Sequence, residues 1–227
     1  MNTAVAKLGF YSALLSFISA LGYSIVQLLQ VIGVLPFPLD AILIYGFSLG
    51  IAVPFMLSML SLHYTVPNKK RIWSHAALLF AVMYVIYVTL NYVVQLATVI
   101  PATLRGTLQA IRVLDQTPHS LFWDVDGLGY ICMGIATLVA VPVFEKRGRQ
   151  RWVRGFFLAN ALMTPVIATV YFYPVFSTAL LLIGLPWVIT CPGSLLLLTL
   201  FFKEQLRVKE DAAAAPLPAR NTFEQAY

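Results

Sequence analysis

Residues 74–100 read SHAALLFAVMYVIYVTLNYVVQLATVI. None of these 27 residues is Asp, Glu, Lys or Arg, and as an α-helix rising 1.5 Å per residue the stretch reaches about 40 Å. The hydrocarbon core of a bilayer is about 30 Å thick, so one such helix crosses it with turns to spare. Asn68-Lys69-Lys70-Arg71 borders the stretch on one side and Pro101 on the other. Neither border belongs in hydrocarbon or in the middle of a helix.

Working outward, the same reading repeats five times. Apolar runs cover residues 8–35, 39–64, 122–144, 152–173 and 177–202. The composition agrees: of 227 residues 60% are hydrophobic and 11% charged, with a mean hydropathy of +0.83. Soluble domains carry about 25% charged residues. The fold class expected is all-α, a polytopic bundle of six transmembrane helices. Residues 1–209 form that domain, and residues 210–227, rich in Ala and Pro, form a disordered cytoplasmic tail. The first run is too long for a signal peptide and is read as an uncleaved helix. Pro36-Phe37-Pro38 forces a turn after it. Pro54, Pro165, Pro186 and Pro192 fall inside helices, where neighbouring helices or water satisfy the freed carbonyls.

Charge gives the orientation. Thirteen of the fifteen Lys and Arg residues fall on one side of this scheme, and only Arg105 and Arg112 on the other. The positive-inside rule then puts both termini in the cytoplasm of a cell-membrane protein. The net charge of +6 is thereby read as topology, which excludes a nucleic-acid partner and leaves the lipid bilayer as the obligatory one. Cys132 and Cys191 lie within apolar runs and form no Cys-x-x-Cys pair, so they read as small buried hydrophobes.

With this orientation, polar side chains gather in the outer half: Gln27 and Gln30, Asp40, Asn91, Gln95 and Thr98, then Asp124, Asp126 and Tyr130. Asn91 and Gln95, four residues apart, share one helix face, with Tyr84 and Tyr87 beside it. An amide alone in hydrocarbon costs several kcal/mol, so these groups point inward. Two readings follow, and they can coexist. One is a ligand-binding pocket formed by Asn91, Gln95, Gln27, Tyr87, Asp124 and Tyr130. The other is hydrogen bonding between helices.

Asp124 and Asp126 are the candidates for acid or base chemistry. Two positions on a helix are about 200° apart, so the two carboxylates face different ways and cannot serve one substrate together. Capping is the competing role, because a helix N-terminus favours negative charge; Asp40, two residues after Pro38, fits it equally. No metal and no cofactor is expected. His63, His75 and His119 form no helical ligand pair, no histidines face each other at membrane depth for haem, and Lys203 lies at the edge of the membrane, unsuited to a Schiff base.

The connection between the third and fourth spans repeats Leu104, Leu108, Ile111 and Leu114 at steps of four, three and three. This predicts an amphipathic outer helix lying in the interface or covering the pocket as a lid. In the inner half, Asn160 and Thr164 share a face, and Thr190-Cys191-Pro192-Gly193-Ser194 provides small residues for close packing.

The segments Asn91-Tyr92-Val93-Val94-Gln95, Phe122-Trp123-Asp124-Val125-Asp126-Gly127-Leu128-Gly129-Tyr130 and Pro186-Trp187 resemble a group of uncharacterised bacterial multi-pass membrane proteins. The resemblance implies a bacterial cytoplasmic membrane and carries no activity. The function expected is binding of a small lipophilic or amphipathic molecule in the outer half, as sensor or binder. An intramembrane enzyme on a lipid-like substrate is the alternative. So is an accessory subunit, with a homo-oligomer or a membrane partner.

Overall fold

The structure is a computed structural model and describes residues 3–214. Among the described residues six helices are long and apolar enough to cross a membrane: α1 (Thr3–Val31), α2 (Leu39–Thr65), α3 (Arg71–Val94), α4 (Leu121–Ala140), α5 (Gln150–Phe172) and α6 (Trp187–Ala214). Each helix packs on its neighbours in sequence, and α1 packs on α6. The six therefore form a closed ring in chain order. Short connections between antiparallel helices make this arrangement the simplest one. Phe55, Tyr84, Tyr92, Met133 and Leu195 fill its interior, while Leu15, Ile86, Leu90, Leu162 and Ile189 are exposed on its outside.

Hydrophobic burial does not hold helices together in lipid, whose tails are as apolar as leucine; close packing and hydrogen bonds do. α1 supplies both. Ala6, Gly9, Ala13, Ser16 and Ala20 recur at steps of three and four and are all buried. Gly9 sits against the Phe202 ring, where an added Cβ would come within 2.5 Å. Ser16 Oγ donates to the Ile51 carbonyl of α2 at 3.1 Å, one turn before Pro54. Pro192 has no N–H to give the Val188 carbonyl four residues back, and the Ser24 hydroxyl of α1, shared with the Ala20 carbonyl at 2.9 Å, reaches that carbonyl at 3.0 Å. Ser194 Oγ, 3.0 Å from the Phe156 carbonyl, and Asn160 Nδ2, 3.3 Å from Thr137 Oγ1, tie α6 to α5 and α5 to α4. The packing reading of the inner half therefore describes these residues. Cys132 and Cys191 are free and buried.

One end of the ring collects the basic clusters. There Lys70 Nζ donates to the Val143 carbonyl at 2.8 Å and to Glu145, and Arg154 donates to the Val141 carbonyl at 2.9 Å. Two cations thus serve the last carbonyls after α4, where the helix dipole is negative. The Lys70 hydrogen bond and charge hold the Glu145 carboxyl below its usual range.

Four details differ from the sequence reading. Pro101 does not end α3. The helix runs on to Leu104 through a π-helical turn, Gln95–Val99, in which the Ile100 N–H reaches back five residues to Gln95. This wider turn makes room for the proline ring. Pro186 lies ahead of α6: Thr178–Leu182 forms a separate short helix, and the turn through Gly184 and Pro186 interrupts the span, because the residue before proline avoids helical backbone. The outer amphipathic segment is a 3₁₀ helix, Leu108–Leu114, broken at Ile111. Its three-residue apolar repeat matches 3₁₀ geometry, in which side chains at i and i+3 eclipse. Finally, α6 continues to Ala214, five residues into the expected tail, the rest of which lies outside the described residues.

The Ser24–Val188 bond is tested by a mutant cycle. Ser24→Ala should cost about 0.6–2 kcal/mol in a denaturation titration of the protein in mild detergent. In a Pro192→Ala background, where residue 192 regains its N–H, the same change should cost clearly less. Equal costs in both backgrounds would show that the serine does not serve the proline-freed carbonyl.

Candidate ligand-binding site

Ser120 begins α4 in extended backbone and its Oγ accepts from the Trp123 N–H at 3.2 Å. The cap is this serine, so neither Asp124 nor Asp126 is needed for it. Asp40 does not cap either: α2 starts after Pro38 with no side-chain cap. Because the helix is regular from Leu121, the two acidic residues of α4 diverge as expected. Asp124 is half-buried in the first turn, beside the positive end of the dipole. Asp126 turns inward and is 2% exposed.

Asp126 anchors a buried hydrogen-bond network. Its Oδ2 accepts from Tyr171 Oη of α5 at 2.7 Å and from Gln116 Nε2 at 2.9 Å. Gln116 comes from the connection after the 3₁₀ helix, and its Oε1 accepts from Asn91 Nδ2 at 2.9 Å. Gln95 Nε2 donates to the Leu114 carbonyl at 2.8 Å, while its Oε1 accepts from the Gln116 backbone N–H at 3.2 Å. The connection is thus stapled onto α3 and α4 by one glutamine. Trp123 Nε1 donates to the Tyr171 carbonyl at 3.0 Å, and the two rings lie 4.5 Å apart, which fixes Tyr171 over Asp126. Asp126 Oδ1 is buried without a hydrogen-bond partner among the described residues.

A second chain runs along α1. Tyr23 Oη donates to Gln27 Oε1 at 3.0 Å, Gln27 Nε2 to Gln30 Oε1 at 3.0 Å, and Gln30 Nε2 to Asp40 Oδ2 at 2.8 Å. Asp40 latches α2 to α1 in this way.

Between the two chains lies a cleft of about 90 Å³, lined by Tyr23 and Gln27 of α1, Tyr130, Tyr171, and Trp187 at the start of α6. Ile167, Val170, Leu181, Leu185 and Val188 complete its walls. Trp187 meets Tyr23 and Tyr130 edge to face, at 5.4 and 5.1 Å between ring centres. Tyr130 Oη is 3.0 Å from Tyr92 Oη. The volume admits about three waters or a small polar head group. The lining is apolar with a few convergent hydroxyls and one amide, a composition usual for ligand sites.

The sequence-derived residues divide between these features. Gln27 and Tyr130 line the cleft. Asn91 and Gln95 are fully enclosed in the Asp126 network, so the wall expected of them is formed by Tyr130 and Tyr171. Tyr87 packs on the apolar core beside Gly129, and Asp124 faces away from Asp126. Tyr23, Tyr171, Trp187 and Gln116 are not among the residues that the sequence points to as a site. Tyr171 carries a readable signal, since it lies two residues from the end of the run 152–173; Trp187, ten residues into the run 177–202, and Gln116 carry none.

A scan against protein-family models finds no match for this chain, and searches of curated proteins and of solved structures find none either.

Gln116→Ala removes the partner of two buried groups at once. It should lower stability by about 1–3 kcal/mol and raise hydrogen exchange across residues 105–120 relative to the rest of the chain. Unchanged exchange there would show that the staple does not hold the connection.

Proposed function

We propose that the protein binds a small lipophilic or amphipathic molecule in the cleft between α1, α5 and α6, as a sensor or binder in a bacterial cytoplasmic membrane. The observation that supports this is the aromatic cleft in which Tyr23 and Gln27 belong to a hydrogen-bond chain ending on Asp40, Tyr171 bonds Asp126, and Tyr130 pairs with Tyr92. A preorganised polar lining is complementary to a polar head, and the walls of Leu, Ile and Val receive an apolar body. Gentle extraction followed by native mass spectrometry tests it. A small molecule should co-purify with the wild type, and its retention should fall about tenfold in Tyr130→Phe and Gln27→Leu, each of which removes one polar group offered to the ligand. A stoichiometric protein partner with an empty cleft would instead mark an accessory subunit.

A second reading has one observation of its own. Tyr171 touches both the cleft and Asp126, so a proton can pass between a bound molecule and the buried carboxylate through the phenol. This supports an intramembrane enzyme on a lipid-like substrate with Asp126, not Asp124, as acid or base. Turnover untouched by Asp126→Asn would end it.

The same proposal places the basic end and both termini in the cytoplasm, following the positive-inside rule. A cysteine introduced at the exposed Thr117 should react with a membrane-impermeant maleimide in intact cells. One introduced at the exposed Arg147 should react only after the membrane is opened. The reverse pattern would invert the topology.

A further inference from the structure

A second recess lies at the other end of the molecule, outside the proposed ligand cleft. It is a groove of about 330 Å³ between α5 and α6. Val153, Leu197, Leu200 and Phe201 line its deeper part, and Arg149, Lys203 and Arg207 its mouth, with Trp152 and Glu204 beside them. Leu200, Lys203 and Arg207 follow one another at helical spacing, so apolar and basic side chains stack along a single face of α6. From Leu197 to Arg207 that face climbs about 15 Å, from hydrocarbon into the head-group region.

The three cations have little to neutralise them. Glu204 meets Arg149 only at 3.9 Å, and among the described residues Lys203 and Arg207 have no ion pair or side-chain hydrogen bond. Lys70 and Arg154, by contrast, are committed to the carbonyls after α4. The groove therefore carries a net charge of about +2 over an apolar floor. A lipid-facing groove at this depth is filled by lipid, so its charge selects the head group. A soluble anion has nothing to place on Leu197 and Leu200, and a zwitterionic lipid leaves the charge unbalanced.

We infer that this groove is a binding site for an anionic phospholipid, whose phosphate is held by Arg149, Lys203 and Arg207 and whose acyl chain lies along Leu197, Leu200 and Phe201. Arg149 and Arg207 offer forked donors suited to phosphate oxygens, and Lys203 adds a mobile third charge. Trp152, 55% exposed, stands at the rim with the Arg151 guanidinium over its ring at 5.1 Å, an interfacial placement that anchors the groove at head-group level.

The experiment equilibrates the full chain in mixed phosphatidylglycerol and phosphatidylcholine nanodiscs and measures by native mass spectrometry which lipids stay bound on release. The wild type should retain phosphatidylglycerol in preference to phosphatidylcholine. Lys203→Gln and Arg207→Gln should each lower that preference about fivefold. Lys69→Gln with Arg147→Gln, which removes two exposed charges at the same end away from the groove, should leave it unchanged. Melting in pure phosphatidylcholine nanodiscs identifies any variant that simply fails to fold, and the remaining single variant then decides the test. Equal loss in the control variant would mean a diffuse basic surface and overturn the site. So would displacement of the lipid by soluble glycerol phosphate, which would mean an anion site with no use for the acyl chain.

Discussion

Hydrocarbon offers no hydrogen-bond partner, so a polar group inside a span is stabilised by finding one within the protein. Most of this architecture follows from that constraint. Pro192 frees the Val188 carbonyl, and Ser24 on another helix answers it. Asp126 enters the bundle with two oxygens, and a tyrosine from α5 and a glutamine from the connection before α4 answer one of them. These bonds are worth about a kcal/mol each when made. Leaving one unmade costs more, and this asymmetry makes them specify which helices meet.

Close approach is the other half of the association. The small residues of α1 let it lie against α2 and α6 at once, and the serines among them add donors without adding bulk. The same helix then changes character along its length. Near the basic end it presents Ala, Gly and Ser. From Tyr23 onward it presents Tyr23, Gln27 and Gln30, which are larger and polar. Tyr23 and Gln27 of this stretch form the α1 wall of the cleft.

How much of this could be read from the chain depends on the range of the interaction. Six spans, the basic end and the divergence of Asp124 from Asp126 are set by hydropathy, charge and helical period, which are local. Asn91 and Gln95 could be placed on one inward face for the same reason, but whether they lined a pocket or joined helices depended on what came to meet them. That partner, Gln116, sits in a polar connection where a glutamine is unremarkable. Its position is fixed by a 3₁₀ segment and a turn through His119 at φ 66°, features with no periodic signature at that length. Pro101 misled in a similar way, since the rule that proline ends a helix holds for α geometry and the chain used a π turn instead.

A ring whose neighbours follow chain order has a single seam, where the first helix meets the last. Every other contact is a hairpin that can form as soon as two spans have entered the bilayer, whereas the α1–α6 contact waits for the whole chain. Tyr23 and Gln27 stand on one side of that seam and Trp187 and Val188 on the other. The cleft is therefore completed only by the last act of assembly, and a molecule held there would close the circle as a clasp closes a bracelet.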